Sequence, residues 1–397
     1  MRIAWITPYV PAPENSGGRI RIARLALGFT GSELSLYARR APDDDEQAIR
    51  LAREGGPWNH VHVAAPDPLR LPGAAPDLAR SFPHALWRRL RADDLARPFD
   101  VVFVEHCYSA YGLPRFRRAV VVLADHNVES AYWWRTLWSR RPPSLGDTLR
   151  WAQWRRFERL AWRRADLVTM VSAADAAKAR RAAARRCQVI ANGIAIERYT
   201  LIPPSKRPGA RILFVGSMSY EPNVVAAEIA AREVLPLVRQ RVPEASLTIA
   251  GRDPSDRVQR LASEHVHVTG TVDDLPRLFD EHAAYLNLVS IGAGSSLKVL
   301  EPLAAGLPLV ATRFAVRGFP LVANRHYLAA TDAASAAAEI VRALHDRTQL
   351  DAVAHEGRAL AASFDWRDLA AQLRGAVEDV HDELVHRQTH PMRAGRP

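Results

Sequence analysis

A lysine and a glutamate stand one helical turn apart, directly after a stretch of glycines and serines. Residues 291–296 read IGAGSS, and Lys298 and Glu301 follow them. Such a stretch predicts a loop leading into a helix N-terminus, where unpaired backbone N–H groups and the helix dipole favour an anion. A cation in the first turn becomes favourable once an anion binds, and a nearby carboxylate can accept hydrogen bonds from hydroxyl groups. The pattern indicates a site for a phosphate carried by a sugar; a surface helix with a solvated Lys–Glu pair is the alternative.

The neighbouring residues indicate the elements that would position this pair. Residues 297–305 predict a short helix, Gly306 a left-handed residue that ends it, and residues 307–311 a buried strand. Ser295 and Ser296 can cap the start of the helix. Units of helix, glycine and strand occur in every parallel sheet, so the spacing alone does not decide between the two interpretations.

A glycine pair near the start of the chain indicates a second phosphate contact. Residues 3–6 predict a strand, Gly17 and Gly18 lie in the loop after it, and a helix is expected from Arg19. Strand, glycine loop and helix form the opening of a doubly wound nucleotide fold, in which glycine lets the backbone approach a diphosphate. Arg21, just inside the helix, is a candidate for an additional phosphate contact.

Polar side chains also follow two predicted strands of the first half. Residues 119–124 predict a buried strand. Four polar residues come directly after it: Asp125, His126, Asn127 and Glu129. Because carboxyl ends of parallel strands line the ligand crevice, these side chains are candidates for ligand contacts; a capping network through Asn127 and Ser130 is the alternative. Glu105 and His106 end the strand predicted over 99–106, and we expect His106 to be a packed or solvated histidine.

Composition indicates two domains. The chain has 397 residues, 48% of them hydrophobic, which is enough for two cores of ordinary size. Cys107 and Cys187 are its two cysteines, so neither a disulfide framework nor a cysteine-rich metal site is expected. The first residues lack the pattern of a signal peptide and no apolar run reaches about 18 residues, so we expect a cytoplasmic protein.

Positive charge is concentrated in the first half of the chain. Residues 1–200 carry 32 Lys and Arg against 20 Asp and Glu, whereas residues 201–397 carry 22 against 23. Tryptophans between Trp133 and Trp162 are interleaved with arginines. This pattern suits a peripheral contact with an anionic membrane surface or an anionic acceptor; a tryptophan core with solvated arginines is the alternative. No nucleic-acid recognition motif accompanies it, so we expect no nucleic-acid partner.

Three segments resemble the family 4 glycosyltransferases, which have two Rossmann-like domains in the GT-B fold. Residues 300–312, LEPLAAGLPLVAT, are similar to the segment that holds the nucleotide-sugar donor in that family. Residues 13–25, PENSGGRIRIARL, resemble its first loop, and residues 126–129, HNVE, resemble its acceptor-domain motif. The resemblance extends over nearly the whole chain and implies that a nucleotide diphosphate sugar is the donor.

The resemblance implies a role for each candidate residue. Lys298, with the helix N-terminus before it, would stabilise the departing diphosphate, Glu301 would hold the ribose and His126 would contact the transferred sugar; these three are the candidate catalytic residues. The donor-binding residues would be Gly17, Gly18, Arg21, Gly216, Ser217, Asn223, Gly294, Ser295, Ser296 and Leu297. The acceptor-binding residues would be Asp125, Asn127 and Glu129.

The sequence departs from the family pattern where charged residues are expected. Many members carry an arginine after the glycine that corresponds to Gly216 and a lysine soon after it, whereas this chain has Ser217 and Asn223 there. The family also commonly shows two glutamates separated by seven residues, and Ala293 occupies the position of the first. Neutralisation of the phosphates would therefore fall to Lys298 and the helix ends.

These patterns predict an α/β protein with two doubly wound parallel-sheet domains that face a cleft. Residues 1–200 would bind the acceptor, 201–365 the nucleotide sugar, 366–385 would form a helix returning to the first domain, and 386–397 a flexible tail. The implied reaction is retaining transfer, without metal or cofactor, to a hydroxyl of a sugar, lipid-linked sugar or small molecule in polysaccharide or glycolipid synthesis. A sugar-nucleotide epimerase of the same fold and a non-catalytic, membrane-peripheral subunit are the alternatives.

Overall fold

Contacts within the chain divide it into two units. The computed structural model describes residues 1–66, 83–138, 142–182, 184–290 and 297–389. The first unit comprises Met1–Ala191 together with the chain from Arg367 onward, and the second unit comprises Asn192–Trp366. The division falls a few residues before the expected boundary near residue 200.

The first unit is built on a parallel sheet. Its strands within the described residues are β1 (Arg2–Thr7), β2 (Glu33–Arg39), β3 (His60–Ala64), β4 (Val101–Glu105), β5 (Val120–Asp125), β6 (Leu167–Met170) and β7 (Cys187–Val189). The strand order is β3-β2-β1-β4-β5-β6-β7, and every neighbouring pair is parallel. The helices that alternate with these strands are α1 (Gly17–Ala26), α2 (Glu46–Gly55), α3 (His84–Ala96), α4 (Glu129–Trp138), α5 (Leu145–Arg164) and α6 (Ala173–Arg181).

The second unit repeats this plan. Its strands within the described residues are β8 (Arg211–Val215), β9 (Ser246–Ala250), β10 (Val266–Gly270), β11 (Ala284–Asn287), β12 (Leu309–Thr312) and β13 (Leu328–Ala330). They are parallel in the order β10-β9-β8-β11-β12-β13. The helices are α7 (Glu221–Ile229), α8 (Leu235–Arg239), α9 (Asp256–Gln259), α10 (Leu275–Asp280), α11 (Leu297–Ala304), α12 (Ala333–His345) and α13 (Arg347–Ala362), and α14 (Trp366–Thr389) follows them.

Both sheets have the strand order of a doubly wound fold, which confirms the predicted fold class. The central strands are continuous apolar runs, such as VVFVE in β4, because helices cover both faces of a parallel sheet. The order reverses between β1 and β4 in the first unit and between β8 and β11 in the second. Ligands of such folds bind outside the carboxyl ends of the strands at this reversal.

Two segments differ from the sequence prediction. No strand was predicted for Glu33–Arg39, which forms β2 between β1 and β3, with charged residues at both ends of an apolar interior. The last helix, α14, continues to Thr389, so the predicted tail over 386–397 begins too early. Residues 390–397 lie outside the described residues.

Candidate functional site

Lys298 lies over the turn that follows β8. Its Nζ donates a hydrogen bond to Asn223 Oδ1 at 3.0 Å, and Asn223 Nδ2 donates to the Ser217 carbonyl at 2.8 Å. Gly216 leaves room for this arrangement, since a Cβ there would lie 2.9 Å from Lys298 Nζ and from Asn223 Nδ2. A side chain at Gly251 would likewise collide with the Gly216 carbonyl, 1.6 Å away. The structure therefore brings Gly216, Ser217, Asn223 and Lys298 together, and their contact with the donor stays a prediction.

Helix α11 presents Lys298 and Glu301 because its other side is packed into the core. Val299 and Leu300 are completely buried, whereas Lys298 and Glu301 are partly exposed. The helix ends before Gly306, which has a φ of 70° and thus the predicted left-handed conformation. A cation and a carboxylate are therefore held one helical turn apart, with the cation at the carboxyl end of β8 in the second sheet.

Burial moves the pKa values of this pair towards neutrality. Desolvation lowers the pKa of Lys298 to about 8, although attraction to Glu301 opposes the shift. Desolvation raises the pKa of Glu301 to about 7, opposed by Lys298 and by a hydrogen bond from Tyr199. The Tyr199 hydroxyl lies 3.4 Å from Glu301 Oε1. A bound anion would stabilise the ammonium form of Lys298 and thereby raise its pKa again.

Part of the predicted donor site lies outside the described residues. This applies to Gly294, Ser295 and Ser296, and also to Ala293. Leu297 is the first residue of α11. The cradle of main-chain amides before this helix stays a prediction.

In the first unit, a carboxylate and an imidazole meet where β4 and β5 end. Glu105 Oε2 lies 2.7 Å from His126 Nε2, and Glu105 Oε1 accepts a hydrogen bond from Trp5 Nε1 at 2.8 Å. Burial opposes ionisation of Glu105, yet the hydrogen bond to His126 and nearby positive charge bring its pKa below the ordinary value. Burial lowers the pKa of His126 to about 3. Because an ionised carboxylate only accepts hydrogen bonds, neutral His126 carries its proton on Nε2 and offers Nδ1 as an acceptor.

Gly18 leaves room for the Tyr9 hydroxyl near this acceptor nitrogen. A Cβ at Gly18 would lie 2.0 Å from the Tyr9 hydroxyl oxygen and 3.8 Å from His126 Nδ1. Helix α1 begins at Gly17, earlier than the predicted start at Arg19. Gly18 therefore allows close packing against Tyr9, and the contact of Gly17 and Gly18 with a diphosphate stays a prediction.

Arg21 has a structural role in place of the predicted phosphate contact. Its side chain is buried, with 1% of the residue exposed. One terminal nitrogen donates to the Ala191 carbonyl at 2.6 Å and the other donates to the Ile190 carbonyl at 2.7 Å. Helical periodicity predicted where α1 lies but not that this arginine points inward to main-chain carbonyls.

Asp125 is also structural, which corrects its assignment to the acceptor site. It is 1% exposed. One carboxylate oxygen accepts from the Cys107 N–H at 2.5 Å and the other accepts from Trp162 Nε1 at 2.6 Å. Burial raises the pKa of Asp125 well above its usual range. Asp125 therefore anchors the turn after β4.

The other two predicted acceptor residues are partly exposed. Asn127 Nδ2 lies 3.5 Å from Glu129 Oε1, and the same oxygen lies 3.5 Å from His106 Nδ1. Ser130, in contrast, is buried and donates from its hydroxyl to Glu158 at 2.5 Å, which ties α4 to α5. Asn127 and Glu129 therefore remain candidates for acceptor contacts, whereas Ser130 belongs to the packing of two helices.

Two residues of these sites, Glu105 and Tyr199, were not among the residues predicted from the sequence. Glu105 orients His126, and the available signal was its position at the end of a predicted strand. Tyr199 contacts Glu301, but it lies in a segment whose prolines predict a linker, and no sequence pattern marks it as a site residue.

Two features are absent from the part of the chain that the structure describes. None of its helices combines the length and apolarity needed to cross a membrane. In the same residues, no group of three or more His, Cys, Asp or Glu side chains is placed to hold a metal ion.

Two family models match successive parts of the sequence. The model described as Glycosyltransferase Family 4 matches residues 16–198, and the model described as Glycosyl transferases group 1 matches residues 209–346. The first match contains the Glu105–His126 pair and the second contains Lys298 and Glu301. Among curated proteins, none matches the sequence.

Several solved structures share the fold over almost the entire chain. Sucrose-phosphate synthase from Thermosynechococcus elongatus has a TM-score of 0.71 at 17% identity, covering 96% of this chain and 100% of that one. Anabaena HepE in complex with UDP has a TM-score of 0.67 at 15% identity, covering 96% and 100%. WaaG, a glycosyltransferase involved in lipopolysaccharide biosynthesis, has a TM-score of 0.63 at 15% identity, covering 95% and 99%. The fold agrees with both family matches, and the chain belongs to the group 1, family 4 glycosyltransferases of the GT-B fold.

Proposed function

We propose that this glycosyltransferase moves a hexose or related sugar from a nucleoside diphosphate sugar to an acceptor hydroxyl, with retention at the anomeric carbon and without a metal. The main support for this proposal is the position of Lys298. Its Nζ lies at the turn after β8, 3.0 Å from a neutral partner, Asn223 Oδ1. HepE has been solved with UDP and with UDP-glucose, which makes a uridine donor the first to test here.

Lys298 would make the main contribution to lowering the reaction barrier. Cleavage of the sugar–phosphate bond places negative charge on the leaving diphosphate, and a fixed cation at that position lowers the barrier. The N-terminus of α11 contributes its dipole in the same direction. Ser217 and Asn223 offer hydrogen bonds to the same group but no charge, so the lysine carries the neutralisation.

Glu301 and His126 would hold the sugars of the donor. An ionised Glu301 accepts two ribose hydroxyls, and its negative charge is favoured when Lys298 keeps its proton. In the first unit, His126 Nδ1 would accept a hydrogen bond from a hydroxyl of the transferred sugar, because Glu105 fixes the proton on Nε2.

A ligand screen followed by product analysis tests this function. We expect UDP, GDP or ADP to raise the melting temperature of the full chain, because a ligand that binds only the native state stabilises it. The matching nucleotide sugar alone should then give slow hydrolysis, and EDTA should not change the rate. Accumulation of an epimer would instead support the epimerase alternative, and no stabilisation by any nucleotide would contradict the proposal.

A membrane-bound acceptor is favoured by the start of α5. Leu145 is 92% exposed, Leu149 is 63% exposed, and Trp138 at the end of α4 is 55% exposed. The exposed arginines Arg155 and Arg156 follow on α5. Apolar side chains with adjacent guanidinium groups suit the interface of an anionic bilayer, and the acceptor would then be a lipid-linked sugar.

Vesicle sedimentation tests the membrane contact. The full chain should bind phosphatidylglycerol vesicles at low salt and lose most of this binding in the double variant Leu145→Gln and Leu149→Gln. Leu95→Gln is the matched control, since Leu95 is 75% exposed on α3. Equal binding by the double variant and the control would rule out this surface.

A further inference from the structure

His106 occupies a strained turn that the surrounding structure holds in place. It follows β4 with a φ of 64° and a ψ of 138°, a combination that residues other than glycine rarely adopt. Its own N–H donates to the Ala124 carbonyl at 2.9 Å, and the next N–H, of Cys107, donates to Asp125 Oδ1 at 2.5 Å. Such strain persists only where neighbouring contacts enforce it, and strained residues of this kind cluster at functional sites.

The imidazole of His106 is buried without hydrogen bonds. The residue is 7% exposed, and neither ring nitrogen has a hydrogen-bond partner among the described residues. Glu129 Oε1 lies 3.5 Å from Nδ1, but the geometry is not that of a hydrogen bond. Buried polar atoms without partners reduce stability, and in native proteins they call for an explanation such as a ligand.

The groups around this ring suit a neutral compound with hydroxyl groups. The His126 ring lies 4.0 Å from it between centroids, and Tyr108 stacks on it at 4.9 Å. Tyr9 lies edge-on at 6.4 Å. Aromatic faces can pack against the C–H groups of a sugar ring, while imidazole and carboxylate groups exchange hydrogen bonds with its hydroxyls.

We propose that His106 is an acceptor-binding residue, which with Glu129 holds one hydroxyl of the acceptor sugar. An imidazole N–H donates to the hydroxyl oxygen, and the Glu129 carboxylate accepts the hydroxyl hydrogen. The inference rests on the proposed function, because it takes the acceptor to be a hydroxyl compound. It adds a residue that no sequence motif marked and places the acceptor contact on the turn that Asp125 anchors.

Histidine-selective NMR of the full chain tests this contact. The probes are the methyl glycosides of glucose, galactose and mannose, and glycerol, each titrated in the presence of UDP. We expect at least one probe to shift the His106 and His126 ring signals saturably, and the shift of His126 to disappear in His106→Phe. No saturable shift with any probe, or an unchanged shift in His106→Phe, would overturn the proposal.

His62→Phe is the matched control. His62 is a partly buried histidine of the same unit, and its ring lies 4.9 Å from that of Tyr37. This variant should keep the probe-induced shifts of His106 and His126. Loss of those shifts in the control would mean that they report a general change of the unit, and the assignment to His106 would fail.

Thermal unfolding separates a binding role from a structural one. Phenylalanine supplies an aromatic ring at the same position but lacks the two buried nitrogens without hydrogen bonds. The variant His106→Phe should therefore raise the melting temperature by about 2–6 °C. A fall of similar size would show that the nitrogens serve the fold and would contradict the proposal. UDP binding should be retained in His106→Phe, because this residue is assigned to the acceptor. If UDP does not bind the wild type, the result counts against the proposed function and not against the contact of His106 with the acceptor.

Discussion

The two units treat their ionisable side chains differently. In the second unit, Lys298 hydrogen-bonds the neutral side chain of Asn223 and lies one helical turn from Glu301. Burial brings the pKa values of Lys298 and Glu301 close to neutrality. In the first unit, Glu105 is paired with His126, and Arg21 is fixed by main-chain carbonyls. In the half of the chain with the excess of basic residues, at least one arginine, Arg21, therefore has a structural role. A buried cation whose hydrogen-bond partner is neutral, such as Lys298, therefore marks the candidate anion site better than the number of arginines in a unit does.

Replacing Lys298 should have the largest effect on the second unit. In Lys298→Met we expect the affinity for UDP to fall about 10- to 100-fold, because a hydrogen bond to a charged group contributes about 1.5–3 kcal/mol. Isothermal titration calorimetry measures this change. The matched control is Lys206→Met, which removes an exposed lysine from the same unit. Equal affinities of the two variants for UDP would show that Lys298 does not hold the diphosphate.

Replacing Glu105 should change the first unit without affecting nucleotide binding. In Glu105→Gln the amide can donate to His126 Nε2, so the imidazole proton should move to Nδ1 and the acceptor lone pair be lost there. We expect sugar transfer to slow about tenfold at unchanged affinity for UDP, the equivalent of one lost hydrogen bond.

Nitrogen NMR of His126 reports the proton position directly. Glu14→Gln is the control, since Glu14 is an exposed carboxylate of the same unit that pairs with Arg24. If His126 keeps its proton on Nε2 in Glu105→Gln, the proposed polarity of this pair is wrong.

The smallest expected effect is a change in the pH dependence of stability. The pKa of Glu301 is raised to about 7, so the native state binds its proton more tightly than the unfolded state. The contribution of Glu301 to the free energy of unfolding should therefore be largest at acidic pH and fall as the pH rises from about 4.5 to about 7. Glu301→Gln should remove about 1–2 kcal/mol of this fall, measured by urea unfolding at pH 5 and pH 8. A variant with the wild-type pH dependence would show that Glu301 ionises freely.

The sequence predicted the fold and the positions of Lys298 and Glu301 on one helix better than the directions of the polar side chains in the first unit. Apolar runs and glycine turns indicate parallel strands, and the spacing of Lys298, Glu301 and Gly306 sets one helical turn and its end. The direction of a buried polar side chain is different, because it depends on contacts distant in sequence. Arg21 reaches main-chain carbonyls about 170 residues away, and Asp125 reaches an indole on α5.

A crystal structure of the full chain with bound UDP would show whether Lys298 and Glu301 hold the donor. We expect the diphosphate to contact Lys298 Nζ at the turn after β8 and Glu301 to accept hydrogen bonds from the ribose hydroxyls. UDP bound elsewhere, with Lys298 still paired only to Asn223 and no ligand at Glu301, would contradict it.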